Sequence, residues 1–212
     1  MTARSFIRLG QFEPVPGRQF ANPEHSHADL AILRYMRTQL LAALHDTCLR
    51  GGAQERELNI HTVTEDGERG HRMIILAPQE LRDAAELTLV GFFGHKRGDA
   101  DSTILQNVDT ELLQEILAHA YVLSYSSLEL PDGNWAYMVL LQHAAGAEHW
   151  RSSQKHAYAA QELAPKFYRT IRLHNATLPG GLAAPQIALN TTKYYDFAAG
   201  WWQAIRPFRS DI

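Results

Sequence analysis

Eleven histidines in 212 residues are the richest source of chemistry in this sequence, because imidazole exchanges protons near neutral pH and ligates transition metals. Metal-ligand spacing does not support a site. His25 and His27 could chelate from a loop, but no Asp, Glu or Cys at ligand spacing supplies a third position. His149 and His156 fall two turns apart on one expected helix, about 10 Å along its axis, too far to share an ion. His61 and His71 are not opposite each other in the hairpin registers that Asp66-Gly67 allows. The sequence has no HExxH, no paired-cysteine spacing and no EF-hand loop, so no metal is expected. Nucleophile motifs are also missing. There is no Gly-x-Ser-x-Gly elbow, and Cys48 sits on an apolar helix stripe, where it reads as an inert thiol. Gly91-Phe-Phe-Gly94 is too short for a dinucleotide fingerprint. Its glycines read as points where a helix or side chain approaches the strand closely.

A polar and aromatic set remains that a sheet with helices could gather into a small-molecule pocket. In it His156 is the general base, Tyr125 and His95 donate to a developing oxyanion, and Arg169 holds an acidic substrate. Trp150, Tyr137 and Phe93 form the walls. A half-buried His or Tyr on a strand or helix is more commonly a satisfied structural group, so each role needs geometry to support it.

The elements that must position this set run from Leu87 to His174. Leu87 to Lys96 is rich in strand formers. Asp109 can cap a helix with Leu112, Leu113, Ile116, Leu117 and Ala120 at helical spacing. Val122 to Leu130 and Trp135 to Gln142 flank Pro131-Asp132-Gly133-Asn134, a strong hairpin signal. Pairing Leu130 with Trp135 across it puts Leu128, Tyr137, Val139 and Leu141 on one face, and Tyr125, Met138 and Leu140 on the other; neither face is polar throughout. A helix over about Ala147 to Leu163 stops at Pro165, and Phe167 to His174 alternates as a strand.

The order is βαββαβ, that of the ferredoxin-like plait. Its helices cover one face, and a second apolar face could be covered by a second sheet packed against it. On element order and two-sided strands, the unit resembles the dimeric α+β barrel superfamily, which includes antibiotic-biosynthesis monooxygenase-like proteins. The resemblance implies an α+β fold, a homodimer, and cofactor-independent oxygenase or isomerase chemistry on a small apolar or aromatic molecule. Members also include haem-handling proteins and proteins of no known activity. No catalytic motif of theirs matches residue by residue, so no site residue is carried over. The alternative is a non-catalytic small-ligand-binding or assembly protein. Haem on a lone histidine such as His156 stays open, because one axial ligand leaves almost no sequence trace.

Segment 1–86 reads as an N-terminal α/β extension, 87–174 as the plait, and 175–212 as a loop with a docking helix. In the first, Ser5 to Phe12 suggests a short strand. Ser26 with Asp29 suggests a capping-box start to a helix striped by Leu30, Leu33, Met36, Leu40, Leu44 and Cys48 and ended by Gly51-Gly52. Leu58 to Thr64 and His71 to Ala77 form a second hairpin, and Pro78 to Glu86 a short helix, which makes a tandem half-barrel conceivable. In the last segment Asn175 to Pro185 reads as a loop and Gln186 to Thr192 as an edge strand. Tyr194, Phe197, Trp201 and Ile205 recur at helical spacing.

A composition 45% hydrophobic and 20% charged is that of an ordinary globular chain. The net charge of -3 carries no basic stripe, which argues against nucleic acid. No apolar run spans a bilayer, no leader is evident at the N-terminus, and the single cysteine fits a reducing cytoplasm.

Overall fold

The computed structural model describes residues 5–49, 58–65, 69–98, 119–151, 157–198 and 200–208, without the side chains of residues 65, 150 and 151. Its frame is a nine-stranded mixed sheet with few helices, an α+β architecture. The strands are β1 (Ile7–Arg8), β2 (Asn59–Glu65), β3 (Arg69–Ile75), β4 (Glu86–Lys96), β5 (Val122–Glu129), β6 (Trp135–Leu141), β7 (Tyr168–Pro179), β8 (Ala188–Asp196) and β9 (Trp202–Pro207). They stand in the order β1-β9-β8-β7-β4-β6-β5-β3-β2. Among the described residues only β1 and β9 pair in parallel.

The hairpin between β5 and β6 forms with one change of register. Leu130 N–H donates to the Asn134 carbonyl at 2.8 Å and Gly133 N–H to the Leu130 carbonyl at 2.9 Å. Gly133 takes φ 74°, so the turn has three residues, Pro131 to Gly133, closed by a left-handed glycine. Glu129 therefore faces Trp135, and Leu128 faces Ala136. The expected pairing of Leu130 with Trp135 is one residue out. A one-residue shift exchanges faces, and Tyr125 and Tyr137 come to lie on the same side, with ring centroids 6.0 Å apart.

Both faces of the central strands are apolar, as expected, and each is covered from within the chain. α1 (Pro23–Leu49) lays Leu30, Leu33, Met36, Leu40 and Leu44 on Met73, Leu89, Phe93, Leu128, Met138, Leu140 and Leu178. This is the face for which a second sheet was expected, and α1 takes that place. Gly91 makes the approach possible: a Cβ there would stand 2.9 Å from Leu33 Cδ1. Gly94 similarly admits the Tyr168 ring. On the opposite face α3 (Ala144–Arg151) brings Ala147 onto Ile74, Leu76, Val122, Tyr125, Val139 and Leu141.

α1 begins at Pro23, a residue suited to the first helical turn, so Ser26 and Asp29 are not caps but lie inside the helix, both buried. The short α2 (Pro78–Asp83) forms as read. The hairpin β2–β3 joins the same sheet through β3 and β5. The helix expected after Asp109, through residue 118, lies outside the described residues. Pro165 does not stop a helix but sits in the first turn of α4 (Ala164–Phe167), which follows a π-helical turn at Ala159–Leu163.

The C-terminal segment is corrected most. β7 runs on to Pro179, β8 is an interior strand between β7 and β9, and among the described residues no docking helix forms. Tyr194 and Ile205 lie on separate strands, and Gly200 and Trp201, with φ 81° and 55°, make the turn between them. The 3,4,4 spacing of the aromatic and apolar residues was compatible with both forms; alternation within each strand decided it, with Thr192, Tyr194 and Asp196 all buried. Among the described residues no helix is long and apolar enough to cross a membrane.

Candidate functional site

An open cleft of about 570 Å³ lies on the α1 side, at the end of the sheet where β4 finishes and β7 begins. Phe93, Gly94 and His95 come from β4, and Arg169, Thr170 and Arg172 from β7. Leu130, Asp132 and Asn134 come from the hairpin turn, Gly17 to Phe20 from a strap before α1, His25 from its first turn, and Asp196 and Ala198 from the end of β8.

The way β4 and β7 pair explains why Arg169 faces the cleft. His95 pairs with Thr170 and Lys96 with Tyr168, so Arg169 is the unpaired residue of a bulge. A bulge re-aims a side chain that regular alternation would place on the other face, and here Arg169 and Thr170 both line the site. Among the described residues no carboxylate lies within ion-pair distance of Arg169. The other two guanidinium groups of the cleft are paired. Arg18 meets Asp196 at 3.1 Å and lies over the Trp202 ring at 4.7 Å. Arg172 donates to Asp29 through Nε at 2.5 Å and Nη2 at 2.9 Å.

Asp29 is held by a second partner. His174 Nε2 donates to Asp29 Oδ2 at 2.8 Å, and its Nδ1 takes the Thr192 hydroxyl at 2.8 Å. The chain of hydroxyls continues through Ser26 to Tyr194, over links of 3.5 and 3.1 Å, and Arg206 Nε donates to the Tyr194 oxygen at 3.2 Å. Burial alone would push the Asp29 carboxyl up; the hydrogen bonds from His174 and Arg172, with the Arg172 charge, outweigh it and hold the group below its ordinary range. The order hydroxyl, imidazole, carboxylate is that of a nucleophilic triad, but His174 and Thr192 are fully buried. Their effect is to fix Asp29, and through it the direction of Arg172.

A second relay sits at the rim. Asn134 Nδ2 donates to Asp132 Oδ2 at 2.8 Å and lies 3.1 Å from His95 Nδ1, while Lys96 N–H donates to Asn134 Oδ1 at 2.9 Å. Asp132 Oδ1 also takes the Asn134 backbone N–H at 3.0 Å. Partial burial pushes Asp132 up, but the side-chain and backbone hydrogen bonds from Asn134, with His95 nearby, bring it below the usual carboxylate range.

Of the residues singled out from the sequence, Phe93, His95 and Arg169 meet in this cleft. Phe93 packs edge-on to His174 at 5.4 Å, under the Arg172 guanidinium at 5.9 Å. Tyr125 and Tyr137 are on the opposite face of the sheet, with Phe92 5.7 Å from Tyr137. The expected grouping is thus split by the sheet itself. Trp150 falls in α3; its side chain and His156 lie outside the described residues. Asp29, Arg172, His174, Asn134 and Asp132 were missed. A polar pair at i, i+3 inside an apolar helix stripe, Ser26 and Asp29, was the available signal for a buried network. Among the described residues no three His, Cys, Asp or Glu side chains come together as a metal site.

No protein-family model matches the chain, and no curated protein matches it significantly. Two solved structures match part of it. Protein SO0527 from Shewanella oneidensis has a TM-score of 0.40 and 8% identity, over 45% of this chain and 93% of its own. Rv0793 from Mycobacterium tuberculosis has a TM-score of 0.35 and 20% identity, over 44% of this chain and 92% of its own.

Proposed function

We propose that the chain binds a small acidic molecule with an apolar or aromatic body in the cleft between β4, β7 and the strap, and turns it over by cofactor-independent isomerase or monooxygenase-type chemistry. The observation that carries this is the placing of Arg169, without a carboxylate partner among the described residues, beside His95 and the apolar wall of Phe93. An anionic oxygen suits Arg169, whose fork of N–H donors matches a carboxylate. The aromatic or aliphatic body suits Phe93, Phe20 and Leu130. His25, on the strap side of the same cleft, is the histidine placed to act as a base in place of His156.

The strand order supports the finer reading of the fold. β7, β4, β6 and β5 stand side by side and all antiparallel, which in the unit's own numbering is fourth, first, third, second. We read this as a ferredoxin-like plait of the dimeric α+β barrel kind, extended at both edges. A homodimer would use a surface other than the face that α1 covers.

Benzoate and its uncharged amide, benzamide, test the binding. In ¹H–¹⁵N spectra benzoate is expected to shift Gly94, His95 and Thr170 saturably, and benzamide to do so far more weakly. Equal shifts by both, or none by a panel of aryl and alkyl monocarboxylates at millimolar concentration, would remove the proposal. Binding without turnover of any binding acid would leave the non-catalytic alternative.

A further inference from the structure

We infer that Asn134 is a positioning residue that locks His95 in one tautomer, so that His95 meets the ligand as a hydrogen-bond donor through Nε2–H. This rests on the proposed function for the identity of the ligand, and on the geometry alone for the tautomer.

The hydrogen-bond inventory settles the proton positions. Lys96 N–H is a donor and lies 2.9 Å from Asn134 Oδ1, so that atom is the amide oxygen. The amide nitrogen, Nδ2, then has two hydrogens to place. One goes to Asp132 Oδ2 at 2.8 Å. The other points to His95 Nδ1 at 3.1 Å, where only a lone pair can receive it. A neutral imidazole that accepts at Nδ1 carries its proton on Nε2.

The consequence is specific. His95 lines the cleft with Arg169 and Thr170, and the nitrogen it has left for a ligand is a donor. It suits a carboxylate, or the oxygen of an enolate or phenolate, and cannot accept a proton there. In any turnover His95 stabilises negative charge on oxygen, and the base must be another group. Asp132, held ionised by two hydrogen bonds from Asn134, keeps the amide from rotating.

The test is the ¹⁵N spectrum of the His95 ring at pH 8 without ligand, assigned by its loss in His95→Gln. The expected result is a single Nε2–H tautomer, in contrast to the mixture of a free ring. Exchanging the two turn groups, Asp132→Asn with Asn134→Asp, keeps the net charge and places a carboxylate at Nδ1; the ring is then expected to move to the Nδ1–H form. A free-ring mixture or an Nδ1–H ring in the wild type would overturn the inference even if the exchanged variant does not fold. An unchanged ring in a folded exchanged variant would overturn it too. Benzoate is then added: an Nε2 shift, with about 10-fold weaker binding in the exchanged variant, is expected. A correct tautomer that benzoate does not touch would count against the proposed ligand and leave the role of Asn134 standing.

Discussion

Asp29 and Arg172, 143 positions apart, form a two-point ion pair at 2.5 and 2.9 Å between the first turns of α1 and the start of β7. It joins the helix that covers the sheet to the strand that lines the cleft. Asp29 is only 3% exposed, and removing one partner of a buried pair leaves the other charged and unsatisfied. Asp29→Asn is therefore expected to cost roughly 3 kcal/mol or more. That is about 10 °C in Tm for a chain of this size, measurable by calorimetry. A loss of less than about 1 kcal/mol would mean that the pair is not formed in solution.

The same carboxyl sets an acid limit. Its folded value lies below the ordinary one, so its contribution is complete above the unfolded value, about 3.9, and is lost as pH falls through the lower folded value. Urea midpoints between pH 6 and pH 3 are expected to fall below about pH 4 in the wild type. In Asp29→Asn, already less stable at pH 6, that part of the acid loss is expected to be missing. Parallel acid limbs would assign the sensitivity to other carboxyls.

Local patterns were legible where a single element decides them. The α1 stripe, the β4 strand and the Asp132-Gly133 turn were readable because spacing or turn chemistry sufficed. The register across that turn was not. Whether the loop holds three or four residues depends on Asn134 being drawn into the Lys96 and His95 contacts, which are tertiary. Arg206 shows the same limit at the C-terminus. It is fully buried in β9, and a charged residue in a strand gives no sign that carbonyls from residues 10 to 21 will surround it. Asp29 and His174 are a pair 145 positions apart, beyond any local spacing rule.

Close packing of α1 on β4 should be visible in a double-mutant cycle. The Cβ of Gly91→Ala would stand 2.9 Å from Leu33 Cδ1 and 3.2 Å from Cδ2, an overpacking expected to cost about 1–3 kcal/mol. Leu33→Ala alone opens a cavity and is expected to cost about 2–5 kcal/mol. Together they should cost less than the sum by about 1 kcal/mol, because the clash disappears with the leucine. Strict additivity in denaturant unfolding would show that the contact is not the source of the cost.

Arg169 supplies the charge for the proposed ligand. Arg169→Ala is expected to weaken benzoate at least about 10-fold, the range of a charge-assisted hydrogen bond, with little change in Tm because the side chain is exposed. Wild-type affinity is expected to fall as salt rises from 20 to 300 mM, and this dependence should be weaker in the variant. Affinity that ignores both the substitution and salt would place the anion elsewhere.

Arg206 controls the opposite wall without touching the cleft. Its Nη1 donates to the Gly10 carbonyl and, at 3.3 Å, to that of Gln11, and its Nη2 donates to the carbonyls of Glu13 and Ala21 at 2.8 Å each. The strap between these anchors carries Gly17 to Phe20, which line the site. Lysine keeps the charge but not the planar fork that serves several carbonyls at once. Arg206→Lys is therefore expected to leave buried strap carbonyls unpaired and to lower stability by about 1–3 kcal/mol. It should also raise amide hydrogen exchange over Gly10 to Ala21 ahead of the sheet. Benzoate affinity should fall with it, and Arg18 and Phe20 signals should broaden. Faster exchange in the strap with unchanged benzoate affinity would show that this wall takes no part in binding. Unchanged exchange would show that the strap is held by other contacts, such as Arg18 with Asp196.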